Sequence, residues 1–393
     1  MDPIRNPFAP GAGSQPPELA GRDAVRADMR IALARLRIGR PAKSVMLVGL
    51  RGVGKTVLLD KICEEAEDAG VLTLRMEAQE NRSLPALLAP QLRVALLKLS
   101  RVAQATDIAV RGLRALAGFA GKLKLMFGDI EVGIDYEPEP GLADNGDLEG
   151  DLAMLLEQVG LAARAAGTVV AIFIDELQYV AEAQLGAFVA ALHLCAQKRL
   201  PVVVIGAGLP QLRAHLGEAK SYSERLFDFP FVGALSPEDA SAAITRPIEQ
   251  EEECIDSDAV DLILQKTQGY PYFLQEWGGE AWNTAATSPI TREDVRIASE
   301  VVVASLDESF FRVRFDRLTV KEKDYLRAMA TLGPGPHRSG DIAAALGKES
   351  QALGPVRGSL ISKGMIWSPT HGDTAFTVPL FDEFMMRIMP RPI

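Results

Sequence analysis

The sequence predicts an α/β fold, a parallel sheet with helices on both faces, followed by smaller helical regions. Three observations predict it. Short apolar runs, such as Val45 to Val48 and Val169 to Ile174, recur between longer amphipathic stretches, and unbroken apolar runs mark strands buried on both faces. Strand-like and helix-like stretches alternate to about residue 235 and helical patterns dominate after it, which sets an alternating region apart from a helical one. The chain has 393 residues, 48% of them apolar, enough for a large core and for two or three domains.

Residues 1–18 are rich in Pro and Gly and read as a loose arm. Asp23 to Ile38 is an amphipathic helix that leads into the first strand, Ser44 to Val48, and a helix from Lys55 to Ala66 follows. Val71 to Met76 is the second strand, Val169 to Ile174 the third, Val202 to Ile205 the fourth, and Phe227 to Leu235 a short fifth. At Ser236 the texture changes. Ser236 caps a helix with Pro237 in its first turn, and helical patterns run to about Leu306, with another start at Thr291 and Asp294. Beyond Asp316 come helices over Leu318–Ala330, Ser339–Leu346 and Ser350–Lys363, then two short strands around a His-Gly-Asp turn, then a last helix, Phe381–Met389. Three helices and a two-stranded wing make a winged helix-turn-helix.

The stretch between the second and third strands is long and divided by charge. Residues 93–124 carry Arg93, Lys98, Arg101, Arg111, Arg114, Lys122 and Lys124 against the single acid Asp107, whereas 129–151 hold only acids. "KLKLMFGDIEVGIDYE" alternates like a hairpin around Gly128. Two readings stay open: a helix and hairpin with solvated charges, or an insertion that faces a partner or DNA.

The net charge of −10 argues against a protein that coats nucleic acid through bulk charge, but leaves room for a local basic face. Cys63, Cys195 and Cys254 are far apart, as are the four histidines, so neither a disulfide framework nor a metal-ligand spacing is present and a reducing compartment fits. No apolar run resembles a signal peptide or reaches the ~20 residues of a membrane helix. The expectation is a soluble, cytoplasmic protein without a membrane partner.

"GLRGVGKT", Gly49 to Thr56, fits the phosphate-loop pattern G-x-x-x-x-G-K-[ST]. A strand precedes it and a helix follows, as that pattern requires. Gly49, Gly52 and Gly54 let the backbone turn so that N–H groups of Gly49, Leu50, Arg51, Gly52, Val53, Gly54, Lys55, Thr56 and Val57 can converge on phosphate oxygens. The helix start adds partial positive charge. Lys55 is expected on the β- and γ-phosphates of ATP and Thr56 on Mg²⁺. The partner carboxylate comes from "TVVAIFIDELQYV", Thr168 to Val180, where Asp175 and Glu176 end a strand at the edge where open α/β sheets bind ligands. Asp175 is expected to hold Mg²⁺ and Glu176 to orient or deprotonate the attacking water.

On these motifs the chain resembles the AAA+ ATPases, and within them the origin-recognition and initiator-like branch. The resemblance spans roughly residues 17–393 and rests on "ELAGRDAV" (Glu18 to Val25), Gly49–Thr56, Asp175-Glu176 and the winged helix. It implies a P-loop core over 19–235 with an insertion at about 93–150, a helical lid over 236–315 and a winged helix over 316–393, with Mg-ATP between core and lid. It implies Leu19 to Arg22 near the adenine, although Gly21-Arg22 also reads as a plain helix cap. It implies an arginine finger at Arg225, catalytic in a neighbouring subunit and hence a homo-oligomer, although Glu224-Arg225 also reads as a surface pair.

Two positions depart from the family pattern. The end of the fourth strand, where a polar sensor is usual, reads Gly206-Ala207-Gly208. The lid helix that usually opens with an arginine reads Gly269-Tyr270-Pro271 instead, which looks like the lid signature of STAND signalling ATPases and puts Tyr270 over the adenine with Pro271 at the helix start. Both departures imply slow hydrolysis. Arg357 and Lys363 in the third helix of the winged unit are the candidate DNA contacts, yet residues 316–393 hold ten Lys/Arg against eight Asp/Glu, a thin footprint for DNA. Two functions stay open: an ATPase that works on DNA, and a nucleotide-dependent switch acting on a protein partner.

Overall fold

The computed structural model describes residues 1–11, 13–127, 136–370 and 372–390. It divides into two compact units, one of Arg22–Gly49 and Lys55–Val232, the other of Met1–Gly21, Leu50–Gly54 and Gly233–Ile393.

The first unit runs α1 (Asp23–Arg37), β1 (Ser44–Val48), α2 (Lys55–Asp68), β2 (Leu72–Glu77), α3 (Leu84–Leu99), α4 (Thr106–Phe127), α5 (Leu148–Ala165), β3 (Val170–Asp175), α6 (Glu182–Gln197), β4 (Val202–Gly208), α7 (Leu212–Ala219), α8 (Ser223–Leu226) and β5 (Phe227–Asp228). The strands form one parallel sheet in the order β2-β3-β4-β1-β5. β1, β3 and β4 are buried along their whole length, which is why they read as apolar runs rather than alternations. β4 lies between β1 and β3, so the chain leaves β1 and β3 at the same edge of the sheet, pairing Val48 with Gly208 and Ile174 with Gly206. β5 is shorter than expected, two residues with one further bridge from Val48 to Phe231, because Pro230 interrupts the ladder and has no N–H to donate.

The stretch before β3 belongs to the core. Ala109, Leu113, Leu116 and Phe119 of α4 are buried with Leu92 and Leu96 of α3 and Leu152, Leu155 and Val159 of α5. Arg101, Arg111, Arg114 and Lys122 face solvent, and Arg111 pairs with Glu139 at 3.0 Å. Lys122 to Phe127, the expected first arm of a hairpin, continue α4 instead. Alternation was the weaker signal there, because Leu, Lys, Met and Phe also extend a helix already begun. The turn and most of the second arm lie outside the described residues.

The second unit continues through α9 (Pro237–Gln250), α10 (Ser257–Thr267), α11 (Pro271–Thr284), α12 (Arg292–Leu306), α13 (Arg312–Asp316), α14 (Val320–Thr331), β6 (His337–Arg338), α15 (Ser339–Ala345), α16 (Gly354–Ser362), β7 (Ile366–Trp367), β8 (Asp373–Phe376) and α17 (Phe381–Ile388). Ser236 and Thr291 cap α9 and α12 through their side chains, Thr291 with Asp294 in a reciprocal box. β8 pairs antiparallel with both β7 and β6, so the two expected strands gain a third. His371 lies outside the described residues. An aromatic cluster of Phe311, Phe315, Phe381 and Phe384 ties α17 to the segment after α12.

The amino-terminal arm is not loose. Phe8 is buried at Gly278, where a Cβ would meet its ring. Trp282 Nε1 donates to the Asp2 carbonyl at 2.8 Å, and Arg5 pairs with Glu251 at 3.0 Å. Pro and Gly content hid this, because one phenylalanine seated on a glycine-faced helix outweighs the composition of the segment around it.

Candidate nucleotide site

The phosphate-loop sequence occupies the turn from β1 to α2. Gly52 and Gly54 take φ of 78° and 85°, a left-handed backbone that only glycine adopts without strain. Gly49 N donates to Gly208 O at 3.2 Å, fixing the start of the loop to the end of β4. Lys55 and Thr56 are the first residues of α2, and Lys55 is 7% exposed.

At the end of β3, Asp175 is 3% exposed. Its Oδ2 accepts the Thr56 hydroxyl at 2.7 Å and its Oδ1 accepts the Glu176 N–H at 2.8 Å. Two residues 119 positions apart are thereby in bonding contact. Glu176 has φ of 54°, strained for a residue with a long side chain, and its carboxylate accepts from Gln178 Nε2. A buried carboxylate and a hydroxyl are hard oxygen donors that suit Mg²⁺, which takes one or two protein oxygens and completes its shell with phosphate and water. Among the described residues no group of three or more His, Cys, Asp or Glu could hold a metal ion.

The other loop residues, Leu50, Arg51, Gly52, Val53 and Gly54, are grouped with the second unit. There Gly52 O accepts Tyr272 N at 3.2 Å, and a Cβ on Gly52 would lie 3.0 Å from Tyr270 Cε1. Pro271 opens α11 at its first position, where no N–H is needed. Tyr270 is 3% exposed and its hydroxyl reaches the Thr377 carbonyl at 3.5 Å. Arg314 stacks 3.8 Å from the Phe310 ring centroid, and that ring stacks on Tyr272 at 4.9 Å. Burial, and then repulsion from Arg51, work against the Arg314 charge. Arg314 also donates from Nη1 to the Phe310 carbonyl at 2.6 Å.

Leu19 is half-buried, beside a Glu18–Arg246 ion pair of 2.7 Å. Arg22 takes the cap position of α1 without a side-chain capping bond. Val57 is half-buried in the first turn of α2, and Arg225 is exposed on α8. The candidate DNA contacts Arg357 and Lys363 both have partners within their own unit. Arg357 donates to Thr374 Oγ1 at 3.0 Å, Ser368 Oγ at 2.8 Å and the Asp373 carbonyl at 3.1 Å. Lys363 pairs with the buried Glu322 at 2.7 Å. Both head groups are bonded within the unit that carries them. Three residues escaped sequence reasoning: Arg75, 3.8 Å from Asp175, Gln178 and Arg314. For Arg75 a signal existed, a lone arginine inside an otherwise strand-like run.

This sheet, its loop and the aspartate beside it form the AAA+ P-loop NTPase fold. Residues 18–205 match the family model described as the AAA ATPase domain, and residues 308–385 match one described as a domain of unknown function (DUF8462). No curated protein matches significantly by sequence. Among solved structures, the Walker-type ATPase of Pyrococcus abyssi is similar at 14% identity and a TM-score of 0.56, over 94% of this chain and 97% of that one. The Aeropyrum pernix ORC1 protein, solved in complex with DNA, is similar at 16% identity and a TM-score of 0.47, over 98% of this chain and 96% of that one. The Thermotoga maritima RuvB Holliday junction branch migration motor follows at 16% identity and a TM-score of 0.43, over 95% of this chain and 96% of that one. Among the described residues no helix is long and apolar enough to cross a membrane.

Proposed function

We propose that the protein binds Mg-ATP at Gly49–Thr56 and hydrolyses it slowly to change conformation. The observation that carries this reading is the 2.7 Å bond between Thr56 and the buried Asp175. Loop N–H groups and Lys55 bind the phosphates. Thr56 and Asp175 would hold Mg²⁺, which would supply charge neutralisation on the phosphate oxygens. Glu176 accepts the proton of the attacking water as its oxygen bonds to the γ-phosphorus and the bond to ADP breaks. Arg225 contributes its guanidinium to a neighbouring subunit.

Within this reading a nucleotide-governed switch on a protein partner is favoured over action on DNA. The supporting observation is the engagement of Arg357 and Lys363 in bonds inside their own unit. We read α14, α15 and α16 with β7 and β8 as a winged helix used for docking or internal support.

Calorimetry and a phosphate-release assay test the proposal. Lys55→Ala loses Mg-ATP binding. Glu176→Gln keeps binding, while hydrolysis falls by ~10²–10⁴. A wild-type protein that gives no heat with Mg-ATP, or a Glu176→Gln variant with unchanged turnover, overturns it. Salt-dependent affinity for duplex DNA would reverse the preference for a protein partner.

A further inference from the structure

Gln178 lies in the helical turn Leu177–Tyr179, two residues past Glu176. Its amide head makes two bonds in opposite senses. Oε1 accepts the Leu209 N–H at 3.1 Å, just beyond the end of β4. Nε2 donates to Glu176 Oε2. The end of β4 is shaped to receive this turn. A Cβ on Gly208 would lie 2.9 Å from Gln178 Oε1 and 2.8 Å from Leu212 Cδ2, and one on Gly206 would collide with Leu177 Cδ1. The two glycines that leave this strand end without a polar side chain thus make room for a neighbouring turn that brings one. The same strand end holds the start of the phosphate loop, through the bond from Gly49 N to Gly208 O.

We propose that Gln178 is a positioning residue for hydrolysis: anchored on the end of β4, its amide holds the Glu176 carboxylate in the orientation that activates water. This rests on the ATPase reading above. The chemistry requires one head group that accepts from a backbone N–H and donates to a carboxylate. A glutamine does both, a glutamate only accepts, and a leucine does neither. With Oε2 bound to Gln178, Oε1 of Glu176 is left to take a proton from water. The carboxylate also keeps a fixed distance from the strand end that carries the phosphate loop, and small displacements of a reacting group cost large factors in rate.

Two variants separate positioning from mere support. Gln178→Leu removes both bonds. Gln178→Glu keeps the acceptor for Leu209 N but loses the donor to Glu176. Single-turnover hydrolysis and Mg-ATP affinity are measured on the full chain, with circular dichroism as the folding check. The expected result is a ~10–100-fold fall in turnover for both variants, with the Kd for Mg-ATP within about 2-fold of wild type. Wild-type turnover in Gln178→Glu would mean that only the Leu209 bond matters and would overturn the proposal, as would faster turnover or a loss of affinity matching the loss of rate. Failure of wild type itself to bind Mg-ATP is a different result, which removes the ATPase reading and this inference with it.

Discussion

Asp175 shows how one residue gathers a site. It takes a hydroxyl from α2, a backbone N–H from its own strand end and the approach of an arginine from β2. The cysteines differ in burial, Cys63 and Cys195 buried and Cys254 exposed. Burial pushes the Cys63 thiol up to about 11 and the Cys195 thiol up to about 12, whereas Cys254 is exposed. Only the thiolate attacks a thiol reagent. Native protein is therefore expected to release one fast equivalent of chromophore from an aromatic disulfide reagent, from Cys254, and three once unfolded. Fast reaction of two or more thiols in native protein would contradict the burial described for Cys63 and Cys195. At this scale the phosphate-loop residues and the acidic pair were legible, because their chemistry demands particular residue types at fixed spacing. Gln178 was not, since nothing in "DELQ" says which way a glutamine turns.

Among elements, α14 and the end of α16 are joined through one buried carboxylate. Glu322 closes a reciprocal cap with Thr319 at the start of α14 and accepts from Ser359 at 2.7 Å and from Lys363 at 2.7 Å. Burial alone would raise its pKa, but Lys363, Thr319 and Ser359 outweigh burial and hold it down to about 2. A carboxylate with a depressed pKa contributes stability that is complete above its unfolded value and lost as pH falls through the folded one. Glu322→Gln is therefore expected to unfold at lower urea than wild type at pH 7, and the gap narrows as pH drops below about 4.5 toward 2. A gap that stays constant from pH 7 to pH 3 would show that the ionised carboxylate is not what stabilises the pair. Helix existence was legible here from caps and periodicity. The internal partners of Arg357 and Lys363 were not, because the spacing of a basic residue along a helix does not say which buried group it meets.

At the scale of the whole molecule the open matter is association. Arg225 is exposed on α8, and its head group has no bonding partner in the same chain among the described residues. An arginine finger supplied across a boundary is worth roughly 10³–10⁵ in rate. Arg225→Ala is expected to lower hydrolysis only under conditions where light scattering detects an ATP-dependent oligomer. Mixing it with Lys55→Ala subunits then restores part of the rate, since each supplies what the other lacks. Loss of rate in a dilute monomer, or no recovery on mixing, would place Arg225 outside this role.

Taken alone, the sequence determined the parallel sheet, the phosphate loop, the acidic strand end and most helix starts. Each of these follows from local rules: buried strands need unbroken apolar runs, tight anion-binding turns need glycine, and helix ends need capping oxygens. Only tertiary structure decided the strand order, the seating of Phe8 at Gly278, the internal bonds of Arg357 and Lys363, and the clasp between Gln178, Glu176 and Leu209. These join residues by side-chain direction across elements, and direction is set by packing rather than by spacing along the chain.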